Sequence, residues 1–185
     1  MTPGLRAGMQ VVFQDPYGSF NPRHKVGRLV AEPTYLETDR GDLHGRVAAA
    51  LHEVGLTPED ADRYIHEFSG GQRQRIAIAR ALITRPKLIV LDEAVSALDV
   101  RVRAQILDLL AGLRERLGLS YLFISHDLSV VRAITDRVYV MREGRIIEHG
   151  RTEDVMTNPR EDYTKTLIAA SPQIPPAWFE ERRDG

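Results

Sequence analysis

Lys87-Leu88-Ile89-Val90-Leu91-Asp92-Glu93 sets four apolar residues between a cation and two carboxylates. So short a run, without polar alternation, suits a β-strand buried on both faces of a parallel sheet. Its two carboxylates then stand at the carboxyl edge of that sheet, where open α/β sheets bind ligands. Working outward, Ser120-Tyr121-Leu122-Phe123-Ile124-Ser125 reads as a second buried strand. Met9-Gln10-Val11-Val12-Phe13 reads as a third, ended by the turn chemistry of Asp15-Pro16-Tyr17-Gly18. Helical periodicity occupies 25–36 and 41–55, with Val26, Leu29 and Val30, then Val47, Leu51 and Val54, on the apolar faces and Gly55 as a stop. Thr57 followed by Pro58 is a helix start. Further helices are expected over 72–84, 101–117 and 128–134. A hairpin pairs 137–141 with 145–148 around Glu143-Gly144. Short helices follow near 152–157 and 161–170, then a proline-rich extended stretch over 171–176. Strands alternating with helices give an α/β fold with a mainly parallel sheet.

Composition narrows the function classes. The chain has 185 residues, 25 basic and 26 acidic side chains and a net charge of −1, which argues against a strongly basic nucleic-acid binder. It has no cysteine, so disulfides, thiolate zinc sites, iron–sulfur clusters and a cysteine nucleophile are excluded for these residues. Arginine outnumbers lysine 22 to 3, a bias that carries no functional reading. No stretch reaches the roughly 18 apolar residues of a membrane-spanning helix, and the first residues hold no apolar run of signal-peptide length.

Four constellations carry chemistry. Asp92 can hold Mg²⁺, usually through water, and Glu93 can polarise an attacking water. Phe68-Ser69-Gly70-Gly71-Gln72 precedes a helix, so two glycines and unpaired amides can approach an anion closely, with the Ser69 hydroxyl as a further donor. His126, in Ser125-His126-Asp127 after a strand, can donate to a phosphate oxygen. Gln14, at the end of a strand, can reach a metal or a water. Taken singly, each has an ordinary structural reading as a capped helix start, a turn or an exposed side chain.

Their order changes that. Gln14, then Ser69-Gly70-Gly71-Gln72, then the apolar strand with Asp92-Glu93, then Ser96-Ala97-Leu98-Asp99, then His126, closely resembles the ATP-binding subunits of ABC transporters over residues 9–170. The resemblance implies an α/β, P-loop NTPase-like fold with a helical subdomain. It also implies ATP and Mg²⁺ as ligands. By the same resemblance, Gln14 is the Q-loop glutamine, sensing Mg²⁺ and coupling to membrane subunits. Ser69, Gly70, Gly71 and Gln72 are the signature that contacts the γ-phosphate held by the opposite subunit. Asp92 is the Walker B aspartate and Glu93 the catalytic base. Asp99 is the D-loop aspartate at the dimer interface, and His126 the switch histidine. The implied organisation is a Q-loop strand and loop over 1–24, a helical subdomain over 25–86, a Walker B, D-loop and H-loop core over 87–150, and an extension over 151–185.

Asp15-Pro-Tyr-Gly-Ser-Phe-Asn-Pro-Arg23 is similar to the extended Q-loop of oligopeptide and dipeptide importers, and Asn158-Pro-Arg-Glu-Asp-Tyr-Thr-Lys-Thr-Leu167 to their C-terminal extension. That extension usually has His-Pro where this chain has Glu161-Asp162, and importers of nickel and other small solutes share much of the pattern. The implied partners are a second ABC ATPase subunit, identical or different, membrane permease subunits and, indirectly, a substrate-binding protein, with no nucleic acid. The implied location is peripheral, on the cytoplasmic face of the membrane. No Gly-x-x-x-x-Gly-Lys-Ser/Thr occurs in these residues. The chain is therefore expected to be a domain lacking its N-terminal phosphate-cradling part, with Leu88, Val90 and Phe123 partly exposed and the isolated chain unstable or aggregation-prone. The rival readings are a non-transport ABC ATPase of DNA repair or translation, and an inactive remnant or interaction module.

Overall fold

The computed structural model describes residues 8–15, 18–37 and 41–171. The expected extended stretch at 171–176 lies, beyond Ser171, outside the described residues, as do Pro16 and Tyr17 of the expected turn. The chain divides into two compact units between Ile124 and Ser125.

The first unit is built on a parallel sheet. Strands β1 (Met9–Val12), β2 (Leu88–Asp92) and β3 (Ser120–Ile124) lie in the order β1-β2-β3. Register pairs Val12 with Leu91 on one side of β2 and Asp92 with Ile124 on the other. Partners across a ladder share a face, so Val12, Leu91 and Phe123 point one way and Val11, Val90 and Leu122 the other.

These two faces differ in cover. Val12, Ile89 and Leu91 are buried, whereas Leu88 and Val90 are only half-buried and Leu122 and Ile124 are 48% and 46% exposed. A strand expected to be buried on both faces is thus fully buried on one. The expected partial exposure of Leu88, Val90 and Phe123 is present. Phe123, however, shares the Leu91 face, and its half-burial reflects a place on β3, which has one strand neighbour among the described residues.

The helices of this unit pack on the covered face of the sheet and around its ends. Val26 to Ala31 form α1, continued by a 3-10 turn, Glu32–Leu36, because Pro33 lacks the amide an α-helix would need there. Helix α2 (Leu43–Glu53) starts at Asp42, whose carboxylate accepts from the Gly45 amide at 2.9 Å. Thr57-Pro58 starts a 3-10 turn, Pro58–Asp62, closed by a capping box with Asp60, in place of the expected α-helix. Helix α3 (Gly70–Leu82) buries Ile76, Ala77, Ile78, Ala79, Ala81 and Leu82, so it is covered on most sides. Helix α4 (Val100–Leu117) ends at Gly118 with φ of 63°, a left-handed conformation that glycine adopts cheaply. The Tyr121 hydroxyl donates to the Leu110 carbonyl of α4 at 3.0 Å, and burial pushes its pKa up to about 12.

The second unit holds α5 (Leu128–Ile134), a hairpin of β4 (Arg137–Arg142) and β5 (Arg145–Arg151), α6 (Thr152–Thr157) and α7 (Asp162–Ala170). Glu143 and Gly144 turn the hairpin with φ of 50° and 77°, the conformation that matches strand twist. Glu148 of β5 is buried, and its carboxylate accepts from the amides of Arg160 at 2.8 Å and Glu161 at 3.2 Å. It thereby ties the segment before α7 to the hairpin. The Thr164 hydroxyl, then these amides, hold the Glu148 carboxyl below the usual carboxylate range.

Two outcomes are expected. Leu91→Ala, at a fully buried position, should cost about 2–5 kcal/mol in urea denaturation, and Leu122→Ala on the open face less than about 1. Because the folded pKa of Glu148 is depressed, its stabilisation is complete above the ordinary carboxylate range and fades as pH falls through it. The stability gap between wild type and Glu148→Gln, followed by thermal melts from pH 7 to pH 3, should therefore shrink towards low pH.

Candidate nucleotide site

Parallel pairing sends the carboxyl ends of all three strands to one edge. Asp92 ends β2 there, and Gln14, exposed, follows two residues after β1. Glu93 comes next and takes φ of 49°, rare for a residue with a side chain and costing about 1–2 kcal/mol. Its amide donates to the Ile124 carbonyl at 2.9 Å, and its own carbonyl accepts from the Ser96 amide at 3.0 Å and the Ser96 hydroxyl at 2.9 Å. The backbone is thus clamped on both sides of the strained residue, a pattern found at functional sites.

The two other predicted groups in this unit are helix N-termini. Ser69 Oγ accepts from the Gln72 amide at 3.4 Å while the Gln72 side-chain oxygen accepts from the Ser69 amide at 3.0 Å, a complete capping box. Gln72 therefore folds its carboxamide oxygen back onto its own helix. A Cβ placed on Gly70 would meet nothing within 4 Å, whereas one on Gly71 would stand 2.6 Å from Val102 Cγ1. Gly70 is open to a ligand, and Gly71 is the contact point between α3 and α4. Asp99 caps α4, accepting from the Val102 amide at 2.9 Å. The Ser69 and Asp99 helix starts are so brought together through Gly71 and Val102.

His126 is exposed and belongs to the second unit, two residues after β3. Asp127 starts α5, its carboxylate accepting from the Ser129 amide at 3.0 Å and from the Ser129 hydroxyl.

Sequence reading missed three side chains here. Val102 fixes the α3–α4 approach. Arg103 donates to the carbonyls of Ser96 at 3.4 Å and Leu98 at 3.2 Å, bracing the turn before Asp99. Arg80 bonds to the loop after Gln14. A lone arginine or valine on an amphipathic helix carries no signal of such contacts.

The donors suit a Mg²⁺-nucleotide. Asp92 and Gln14 offer hard oxygen ligands at the same sheet edge. Mg²⁺ favours this kind of site, taking one or two protein oxygens and completing its shell with phosphate and water. A groove of about 720 Å³ also opens beside α1 and α2, lined by His24, Lys25, Arg28, Tyr35 and His44, with Tyr35 64% exposed.

The two glycines should separate in experiment. Gly70→Ala is expected to hold or raise folding stability by up to about 1 kcal/mol, since alanine favours a helix. Gly71→Ala is expected to cost about 1–3 kcal/mol by crowding Val102, with Val102→Ala restoring part of it in the double variant. Equal losses from both glycine variants in urea denaturation would contradict this division.

Comparison with known proteins agrees with the geometry. A family model described as ABC transporter matches residues 2–96. The chain is 52% identical over 179 residues to the dipeptide transport ATP-binding protein DppF of Haemophilus influenzae, covering 96% of this chain and 55% of that protein. It is 52% identical over 174 residues to the oligopeptide transport ATP-binding protein OppD of Mycobacterium bovis, covering 94% and 28%. It spans about half, or less, of the length of these relatives. The structure of cbiO1 from Clostridium perfringens, part of the ABC transporter complex cbiONQ, superposes with a TM-score of 0.73 at 30% identity, covering 84% of this chain and 61% of that one. The fold is the α/β architecture of an ABC ATPase, and the chain belongs to the ABC transporter family.

Proposed function

We propose that this chain is part of an ATP-hydrolysing subunit that energises uptake of peptides, or of similar small solutes, through membrane permease subunits. The observation that carries the reading is the sheet edge, where Gln14, Asp92 and the clamped Glu93 stand together. The names of similar proteins speak of dipeptide and oligopeptide transport and of glutathione import. No helix is long and apolar enough to cross a membrane among the described residues. From its likeness to ATP-binding subunits of transporters, the chain is assigned to the cytoplasmic face of the membrane, held there by permease partners.

In this reading Asp92 and Gln14 would hold Mg²⁺, which would neutralise phosphate charge when bound. Glu93 orients a water and takes its proton as the water oxygen bonds to the γ-phosphorus and the bridging P–O bond breaks, releasing ADP and phosphate. Ser69 and the Gly70 amide donate to the γ-phosphate of a nucleotide held by a second ATPase subunit, a helix-N-terminus anion site. Asp99 serves the interface of that pair, and His126 is assigned donation to the γ-phosphate. The groove beside α1 and α2, close in sequence to Gln14, is the surface assigned to the permease.

The test is Glu93→Gln in the assembled transporter with its own partner and permease subunits. Loss of a general base should slow ATP hydrolysis by about 10²- to 10⁴-fold and abolish peptide uptake, with ATP binding kept within a few-fold. Undiminished uptake would show that this chain's carboxylate is not used.

A further inference from the structure

Arg80 lies in the last turn of α3, the helix whose first residues are the signature. Its side chain, 14% exposed, crosses to the loop that follows Gln14. One guanidinium nitrogen donates to the Ser19 carbonyl at 3.3 Å and another to the Ser19 hydroxyl oxygen at 3.1 Å. The guanidinium carbon stands 4.7 Å from the centre of the Phe20 ring, and Phe20 is buried. Glu32 approaches at 3.6 Å. Burial pulls the Arg80 pKa down, with Glu32 opposing. The loop itself is tight, because a Cβ on Gly18 would meet the Asp15 carboxylate at 3.0 Å. Other arginines of α3 bond elsewhere: Arg73 to the Ile65 carbonyl and Arg75 to the Val54 carbonyl.

We propose that Arg80 is a positioning residue that latches the Gln14 loop to the signature helix, so that a displacement at Ser69–Gly70 is carried along α3 to Ser19 and Phe20. A helix of 13 residues is a rod of about 20 Å. It offers a stiff connection between nucleotide contacts at its start and the loop at its end. The planar fork of arginine suits a paired carbonyl and hydroxyl and an aromatic face, and lysine would keep only the charge. The inference rests on the reading that Gln14 and the signature serve ATP-driven transport.

Two measurements decide it. Amide exchange over 18–24 should rise about tenfold in Arg80→Ala and several-fold in Arg80→Lys, the loss expected for charge-assisted bonds. Arg75→Ala should leave that segment unchanged. Exchange within about twofold of wild type in both Arg80 variants, or an equal rise in Arg75→Ala, would overturn the latch. The lysine variant keeps the comparison open if the alanine variant does not fold. In the assembled transporter, Arg80→Ala should lower solute moved per ATP hydrolysed by about tenfold while the KM for ATP stays within about twofold. An unchanged ratio would overturn the coupling role. If the wild-type assembly hydrolyses no ATP, the functional reading has failed, and amide exchange alone decides whether the latch exists.

Discussion

The pairing of β2 with a parallel strand on each side fixes where everything else in the first unit can stand. With β1 and β3 running the same way, the ends of all three strands reach one edge, and Asp92 arrives there opposite Ile124. Glu93 leaves the sheet while still bonded to it, its amide on the Ile124 carbonyl. The positive φ of Glu93 is the price of leaving so sharply. Ser96 closes on the Glu93 carbonyl with both its amide and its hydroxyl, so the strained turn is held from two directions. The direction in which the Glu93 side chain leaves the chain is then set by backbone held on both sides.

A second constraint joins two helix starts. Ser69 and Asp99 each cap a helix by accepting an amide three residues on, which leaves the neighbouring N–H groups presented in a defined direction. Gly71 and Val102 then hold α3 against α4. Arg103 braces the segment between Ser96 and Leu98 from within α4. The carboxylate at the sheet edge and the Asp99 helix start are thereby linked by one short, hydrogen-bonded stretch of chain, and Val102 carries that link to Gly71.

Much of this was legible in the sequence because the signals were local. The apolar run before Asp92-Glu93, the serine before two glycines and the Gly55 stop each depend on residues that touch their neighbours in the chain. The Glu143-Gly144 turn follows the same rule, whereas the caps Asp42 and Asp99 were not singled out as helix starts. What was not legible was distant. The 3-10 turns at Glu32–Leu36 and Pro58–Asp62 stand where α-helix was expected, the first because Pro33 lacks the amide that would continue α1. Arg80 meets Ser19 across 61 residues, and Glu148 meets Arg160 across 12, and neither pairing leaves a periodic trace. The two faces of β2 also read alike in sequence, yet one is packed by helices while Leu122 and Ile124 on the adjoining strand face solvent.

The glycine pair makes the same point at the scale of one motif. As letters, Gly70 and Gly71 are equivalent, and both can be read as room for an anion. In the structure they answer different demands. Gly70 has open space where a side chain would be, so its missing Cβ serves whatever approaches the helix from outside. Gly71 has Val102 there, so its missing Cβ serves the packing of the protein against itself. Val is stiff about its first side-chain torsion and cannot swing its methyl away cheaply. A substitution at Gly71 must therefore move a helix start, whereas a substitution at Gly70 points into open space and leaves the helices where they are.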